Sequence, residues 1–456
     1  MPATAKSTKA RNSAHSQGAL AAQSVLIRGG RVIDPVSGTD KMLDVAIDAG
    51  KIVEIGKRLT AEPARRVIEA EGCIVTPGLV DPHVHLREPG HEYKETIATG
   101  SMAAARGGFT SICCMPNTSP ALDSPELVRF VYDRAEAALR EGGCRVFPVA
   151  AATKGRRGEE TAEIQLCAKA GAVAFSDDGD AVASAGVMSR VLTQVKQTGK
   201  VFMQHCQEPS LTRGAQMHAG ALSVKLGLGG WPRVAEEIIV ERDIRLARGS
   251  GCRYHIQHIS SAGTCEILQR ARKDDEGKRL ITGEASPHHL LLTVDACEGY
   301  NTQAKVNPPL RERGDVDALR EAVAAGVVTV LATDHAPHSA DEKALPFEEA
   351  PMGMAGIETA LALYIEALVS SGAVSWKRLI AMMTIEPARL CGLDLCGIGM
   401  LKVGGPADVT VIDPEVSWTI RASELTSRSR NTPFDGRKVK GRARATIVGG
   451  CVVFGE

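Results

Sequence analysis

The stretch "GLVDPHVHLREPG", residues 78–90, sets an apolar run against two histidines, an arginine and two acids. Side chains two apart on a β-strand point to one face. His83 and His85 therefore reach a common point at the end of such a strand, and Arg87 shares that side if strand geometry persists. The plain reading is a solvated loop with structural histidines, or a salt bridge from Arg87 to Glu88 or Glu92. The sharper reading is half of a metal site with an anion anchor beside it.

Seven further short apolar runs follow at intervals: "FTSICCMP", "RVFPVAAAT", "AVAFSDD", "VFMQHC", "YHIQHIS", "LITGEASPHH" and "VTVLATDHAPH". Most are separated by amphipathic stretches such as "SPELVRFVYDRAEAALREGG" and "DVDALREAVAAG". Eight strand–helix units predict an α/β fold, a (β/α)8 TIM-type barrel over residues 79–400. Both flanks look different. "SVLIRGGRVID" and "MLDVAIDAGKIVEIG" before the barrel, and "GPADVTVIDP" and "ARATIVGGCVVFGE" after it, are β-branched runs broken by Gly and Asp. They predict a small β-sandwich built from both chain ends, residues 23–78 and 401–456. Residues 1–22 are rich in Ser, Ala and basic residues without an acid, which predicts a disordered arm, or alternatively a transit peptide.

The totals suit this plan. A chain of 456 residues with 44% hydrophobic content supports a large core. Lys plus Arg equals Asp plus Glu at 54 each, which argues against a bulk nucleic-acid binder. No apolar run approaches the roughly 20 residues that span a bilayer, so no membrane association is expected. The 12 cysteines form no CxxC pair and read as reduced, mostly buried thiols of a cytoplasmic enzyme.

Chemistry in such barrels sits where strands end. His83 and His85 end the first strand, Asp177 and Asp178 the fourth, His205 the fifth, His258 the sixth and Asp334 the eighth. One histidine at a strand end is usually structural, but five strands ending in this way point to a metal centre. Imidazole and carboxylate without thiolate suit Zn²⁺ in an open catalytic site. The number of ligands exceeds one tetrahedral shell and favours two ions bridged by a carboxylate on strand 4, either Asp177 or Asp178. With a shared hydroxide the centre carries about one net positive charge, which favours an anionic substrate. Alternation turns Cys206, His255 and His335 away; His288 and His289 read as structural, and His91, Glu92 and Lys94 as loop charges.

The ordered set "DPHVHLR", "MPNT", "AFSDDG", "HCQE", "QHIS", "NPPLR" and "ATDHAPH" resembles the amidohydrolase superfamily, and in detail its class I dihydroorotases. The resemblance runs from about residue 23 to the end. It implies that His83, His85, Asp178, His205, His258 and Asp334 hold two Zn²⁺ ions, bridged by Asp178 and a hydroxide, with Asp334 also the catalytic acid/base. It implies substrate contacts from His85, Arg87, Asn117, Asn307 and His338, and from the loop backbone at Met352 and Gly353. Methionine stands at 352 where the family commonly has an aromatic residue. The implied reaction is reversible hydrolysis of (S)-dihydroorotate to N-carbamoyl-L-aspartate, in pyrimidine biosynthesis. A hydantoinase or allantoinase is the neighbouring alternative, although those relatives use a carbamylated lysine where this chain has "SDDG". A non-catalytic scaffold for aspartate transcarbamoylase is the more distant one. A homo-oligomer, with a possible aspartate transcarbamoylase complex, is the expected assembly.

Overall fold

The computed structural model describes residues 23–60, 65–274 and 279–455; the expected N-terminal arm lies outside them. Eight parallel strands form the barrel in sequential order: β1 Leu79–Val84, β2 Phe109–Cys114, β3 Arg145–Ala150, β4 Ala174–Phe175, β5 Val201–Gln204, β6 Arg253–Ile256, β7 Ile281–Ala285 and β8 Val330–Leu331. Each pairs with the next in parallel. The sheet closes through a parallel bridge between Val84 and His335, where the His85 amide donates to the His335 carbonyl at 2.8 Å. All eight expected strands are present.

The intervening helices form where the amphipathic stretches predict them. Helix Pro125–Arg140 starts at Ser124, whose side chain accepts from the Leu127 amide, with proline at its first position. It buries Val128, Val131, Ala135, Ala138 and Leu139, a stripe at helical spacing that faces the barrel. These helices and the outward faces of the strands share one large core. Eleven of the twelve cysteines are buried and all are free, Cys396 alone being exposed. Among the described residues no helix is long and apolar enough to cross a membrane.

The chain ends build a second, eight-stranded sheet. Strand Ile74–Pro77 lies between Val25–Asp34, which it pairs in parallel, and Val409–Thr419, which it pairs antiparallel. Val25, Ile47 and Val75 from the first end pack with Val409, Val411 and Ile447 from the second in a core of their own. The C-terminal segment also reaches the barrel mouth: Asn431 donates to the Gly353 carbonyl at 3.0 Å and accepts from the His338 amide at 3.0 Å.

Candidate active site

The strand ends converge on Asp178. Its Oδ2 lies 3.5 Å from His83 Nε2 and 3.4 Å from His85 Nε2, and its Oδ1 lies 3.4 Å from His205 Nδ1 and 3.5 Å from His258 Nε2. Each oxygen thus faces its own pair of imidazoles. Asp334 Oδ1 adds to the first pair, 3.6 Å from His83 Nε2 and 3.1 Å from His85 Nε2. All six side chains are buried.

The outer ring nitrogens reveal what the inner ones present. His83 Nδ1 donates to Glu284 at 2.6 Å, His85 Nδ1 to Asn117 Oδ1 at 2.9 Å, and His205 Nε2 to Gln207 Oε1 at 2.9 Å. When such a ring is neutral its second nitrogen carries a lone pair; without a bound metal, and against the opposing effect of burial, Asp178 and Glu284 shift His83, and Asp178 shifts His205, towards the protonated form that supplies the missing positive charge. Three such lone pairs point at carboxylate oxygens, and His205 Nδ1 faces His258 Nε2 at 2.8 Å. Acceptors turned on acceptors repel unless a cation lies among them. Two atoms at about 2.1 Å from one tetrahedral ion lie roughly 3.4 Å apart, which is the spacing seen around Asp178. Asp178 Oδ1, buried, has no hydrogen-bond partner. The donor set fits divalent ions on both sides of this carboxylate.

Electrostatics separate the two adjacent acids that follow β4. Burial opposes charge on Asp178, but His83, His205 and His258 outweigh it and hold the carboxyl well below the usual range. Asp177 is pushed up to about 6 by burial. Its oxygens accept from the Ala152 and Thr153 amides at 2.9 and 3.0 Å and from the Thr153 hydroxyl, so it fastens the loop after β3 instead. Asp334 is likewise buried, yet His85, His83 and His258 keep it ionised.

Above this cluster lies a cavity of about 170 Å³. Its wall includes His85, Arg87, Asn117, Asn307, His338, Met352 and Gly353, with Asp178, His205, His258 and Asp334 at its floor; His83 sits beneath. Strand geometry does not persist to Arg87, which has a left-handed φ of 63°. Its guanidinium nevertheless lines the cavity, donating from Nε to the Pro337 carbonyl at 3.2 Å. Glu88 pairs with Arg134, and Glu92 accepts from the Gly90 amide, so neither neutralises Arg87. Burial draws the guanidinium down to about 10, still charged at neutral pH.

Lys94 is not the loop charge its sequence context implies. It donates to His338 Nδ1 at 3.3 Å and pairs with Glu342 at 2.8 Å. An ammonium only donates, so His338 Nδ1 accepts and Nε2–H donates to the Met352 carbonyl at 2.9 Å. Burial, then Arg87 and Lys94, keep this ring neutral. Arg87 Nη2, 3.3 Å from His338 Nε2, faces another donor and remains available for a ligand.

Gly353 corrects a further expectation. Its amide donates to the Lys305 carbonyl at 2.9 Å and its carbonyl accepts from Asn431 and Lys343 at 3.0 Å each, so both polar groups are committed inside the protein. What it offers the cavity is space: at φ 136° an added Cβ would lie 2.7 Å from the Ala336 carbonyl oxygen. Asn307 Oδ1, by contrast, is buried without a partner at the cavity wall.

Glu284 was missed in the sequence. This buried acid on β7 accepts from His83 Nδ1, from His255 Nε2 at 2.9 Å and from the His258 amide at 3.1 Å. Its signal was an acid inside an otherwise apolar strand, two positions before the serine that ends "LITGEAS". Carboxylates of this kind orient a metal-binding ring and raise its basicity. His335 is turned away as expected, accepting from the Gly356 amide at 3.2 Å. His288 lies 3.9 Å from Asp334 Oδ2, and His289 donates to the Pro308 carbonyl at 3.0 Å.

Comparison with known proteins gives the family. A dihydroorotase-like family model matches residues 72–264, and an amidohydrolase family model matches residues 225–454. A dihydroorotase of Pelotomaculum thermopropionicum is 47% identical over 94% of this chain and 98% of its own length. Those of Citrifermentans bemidjiense and Geobacter metallireducens are each 45% identical over 94% of this chain and 99% of theirs. The chain belongs to the dihydroorotase family. That family lies within the metal-dependent amidohydrolases, as the second model indicates. Among solved structures, the L-hydantoinase (dihydropyrimidinase) of Arthrobacter aurescens is similar, with a TM-score of 0.83, 25% identity, and coverage of 95% of this chain and 97% of that one. A dihydropyrimidinase from Brevibacillus agri shares the fold at a TM-score of 0.80 and 24% identity, over 95% of each chain. The barrel of this dihydroorotase-family chain is thus shared with hydantoinase-type structures.

Proposed function

We propose that this chain hydrolyses (S)-dihydroorotate reversibly to N-carbamoyl-L-aspartate, with two Zn²⁺ ions held by His83, His85, Asp178, His205, His258 and Asp334, and Asp178 shared between them. One observation carries the reading: the buried Arg87 guanidinium, with no carboxylate within ion-pair distance among the described residues, faces the same cavity as a donor set fit for two cations. Guanidinium binds carboxylate bidentately, and dihydroorotate carries one carboxylate on a cyclic amide ring.

Bound zinc would supply Lewis acidity, polarising the ring carbonyl and lowering the pKa of the attacking water. The chain's own residues do the rest. Arg87 takes the carboxylate, and Asn117, whose oxygen is occupied by His85, turns its NH₂ to the ligand. Asn307 contributes its free oxygen as an acceptor for a ring N–H. His338, neutral, stands beside Arg87 without adding charge. Asp334, with Oδ1 facing His85, has Oδ2 free to take the proton from water. As oxygen bonds to the ring carbonyl carbon and the C–N bond breaks, Asp334 returns that proton to the leaving nitrogen. Ring closure uses the same groups in reverse order.

The hydantoinase-type alternative requires a lysine at the bridge, and Asp178 stands there. A homo-oligomer in the cytoplasm, able to dock with aspartate transcarbamoylase, completes the reading; solution mass alone and with that partner checks it.

The test is metal analysis and turnover on one preparation, in both directions from pH 6 to 9. Ring closure converts a carboxylate into a neutral amide and consumes a proton, so the equilibrium should shift towards dihydroorotate by about tenfold per unit fall in pH. An equilibrium indifferent to pH means a different reaction.

A further inference from the structure

Two lysines outside the ligand set are buried, Lys305 at 3% exposure and Lys343 at 2%. Neither ammonium has a carboxylate within ion-pair distance among the described residues; both meet main-chain carbonyls instead. Lys305 Nζ donates to Phe347, Glu348 and Ala350 at 2.5, 3.2 and 2.7 Å. Lys343 Nζ donates to Pro351 and Gly353 at 2.9 and 3.0 Å, and reaches the Lys305 carbonyl at 3.4 Å. Five of these six carbonyls belong to one segment, residues 347–353, whose last two residues wall the cavity. Burying an ammonium without a counter-ion is unfavourable, and an apolar side chain would fill the same space without that cost. Packing alone does not account for two such lysines on one loop.

Their positions in the chain supply a reason. Lys305 lies two residues before Asn307, and its own carbonyl accepts from the Gly353 amide at 2.9 Å. Lys343 ends the short helix Ala340–Lys343, which begins two residues after His338. The pair therefore ties three parts of the cavity wall together: the Asn307 loop, the His338 segment and the 347–353 loop. A loop with its carbonyls gathered inward on two Nζ groups has its chain direction set, and with it the placement of the Met352 carbonyl against His338 and of Gly353 against the cavity.

We propose that Lys305 and Lys343 are positioning residues, two internal hydrogen-bond donors that fold the 347–353 segment into the substrate-binding wall. The inference rests on the reaction proposed above. It assigns the lysines to binding of the ring, apart from metal retention and proton transfer.

Holoenzyme variants Lys305→Met and Lys343→Met should raise KM for dihydroorotate by about tenfold or more, with kcat within about threefold and wild-type metal content. The double variant should be no worse than the worse single one, because both lysines hold one loop. Lys305→Gln and Lys343→Gln, which keep N–H donors without charge, should fall between. Unchanged KM in folded variants, or a loss confined to kcat, overturns the proposal. Hydrogen exchange on the wild-type holoenzyme reads the same hold without any variant. The Ala350 and Gly353 amides, which donate to the Pro346 and Lys305 carbonyls, should be protected in the absence of substrate, and rapid exchange there overturns it. Wild-type turnover in the same series keeps the readings apart: its absence removes the assigned reaction, while exchange still decides the loop.

Discussion

Three residues of the site occupy backbone conformations that L side chains seldom adopt: Arg87 at φ 63°, His258 at φ 28° and Asp334 at φ 48°. Such strain gathers where geometry matters more than local stability. At Arg87 the consequence is direct. A strand-like residue 87 would follow the barrel outward; the left-handed turn brings the guanidinium back over the cavity, beside His338 and away from Glu88 and Glu92. If it anchors the substrate carboxylate, Arg87→Met should lower kcat/KM by roughly 30- to 1,000-fold, the equivalent of about 2–4 kcal/mol for a lost buried charge-assisted bond. Zinc content should stay at the wild-type level, because Arg87 touches none of the ligand atoms. Near-normal kinetics on dihydroorotate would remove Arg87 from the substrate site.

At the scale of elements, β4 decides the metal chemistry. It is two residues long, and the chain beyond it sends Asp177 and Asp178 in opposite directions, one to the amides after β3 and one to the imidazoles of β1, β5 and β6. Asp178→Ala should release at least one zinc and abolish turnover, whereas Asp177→Ala should retain both ions and lose stability through the loop it fastens. Because Asp178 is a carboxylate as translated, apoprotein should regain full activity with Zn²⁺ alone in CO₂-depleted buffer, and intact mass should show no carboxyl group added to lysine. A requirement for bicarbonate would place a lysine at the bridge and restore the hydantoinase-like reading. Glu284 on β7 shows the same division of labour: its strand contributes no ligand, yet it holds His83 and the His258 backbone in place.

At the scale of the molecule, the site is a knot between strands far apart in sequence. Imidazoles and carboxylates from the ends of β1, β4, β5, β6 and β8 meet at one point, so without a cation the lone pairs and carboxylates there oppose closure of the barrel. Zinc should stabilise the whole fold by mass action, about 3–4 kcal/mol when free metal is 100 to 1,000 times its Kd. Chelation should lower the melting temperature by several degrees, and Zn²⁺ should restore it. A melting temperature indifferent to zinc would mean that the cluster is not a metal centre.

The repeating strand–helix pattern was enough for the barrel and the motif order for the family, and the polar strand ends picked out side chains that meet around Asp178. HxH places two rings on one face whatever surrounds the strand. Alternation turns Cys206 and His335 out of the cluster, and the structure places the Cys206 thiol 3.4 Å from the Tyr254 hydroxyl. The choice of Asp178 over Asp177 needed either the family's spacing or the fold, since alternation fails once the strand has ended. Arg87's turn, Lys94's hold on His338, Glu284 beneath His83, the Asn431 tie and the two buried lysines were decided by tertiary structure alone. In each case the partner lies on another element: Lys94 and His338, or Glu284 and His83, are separated by some two hundred residues of chain or more. Local sequence carries the periodicity that forms an element, but which buried charge meets which acceptor is settled only when the elements close around a common axis.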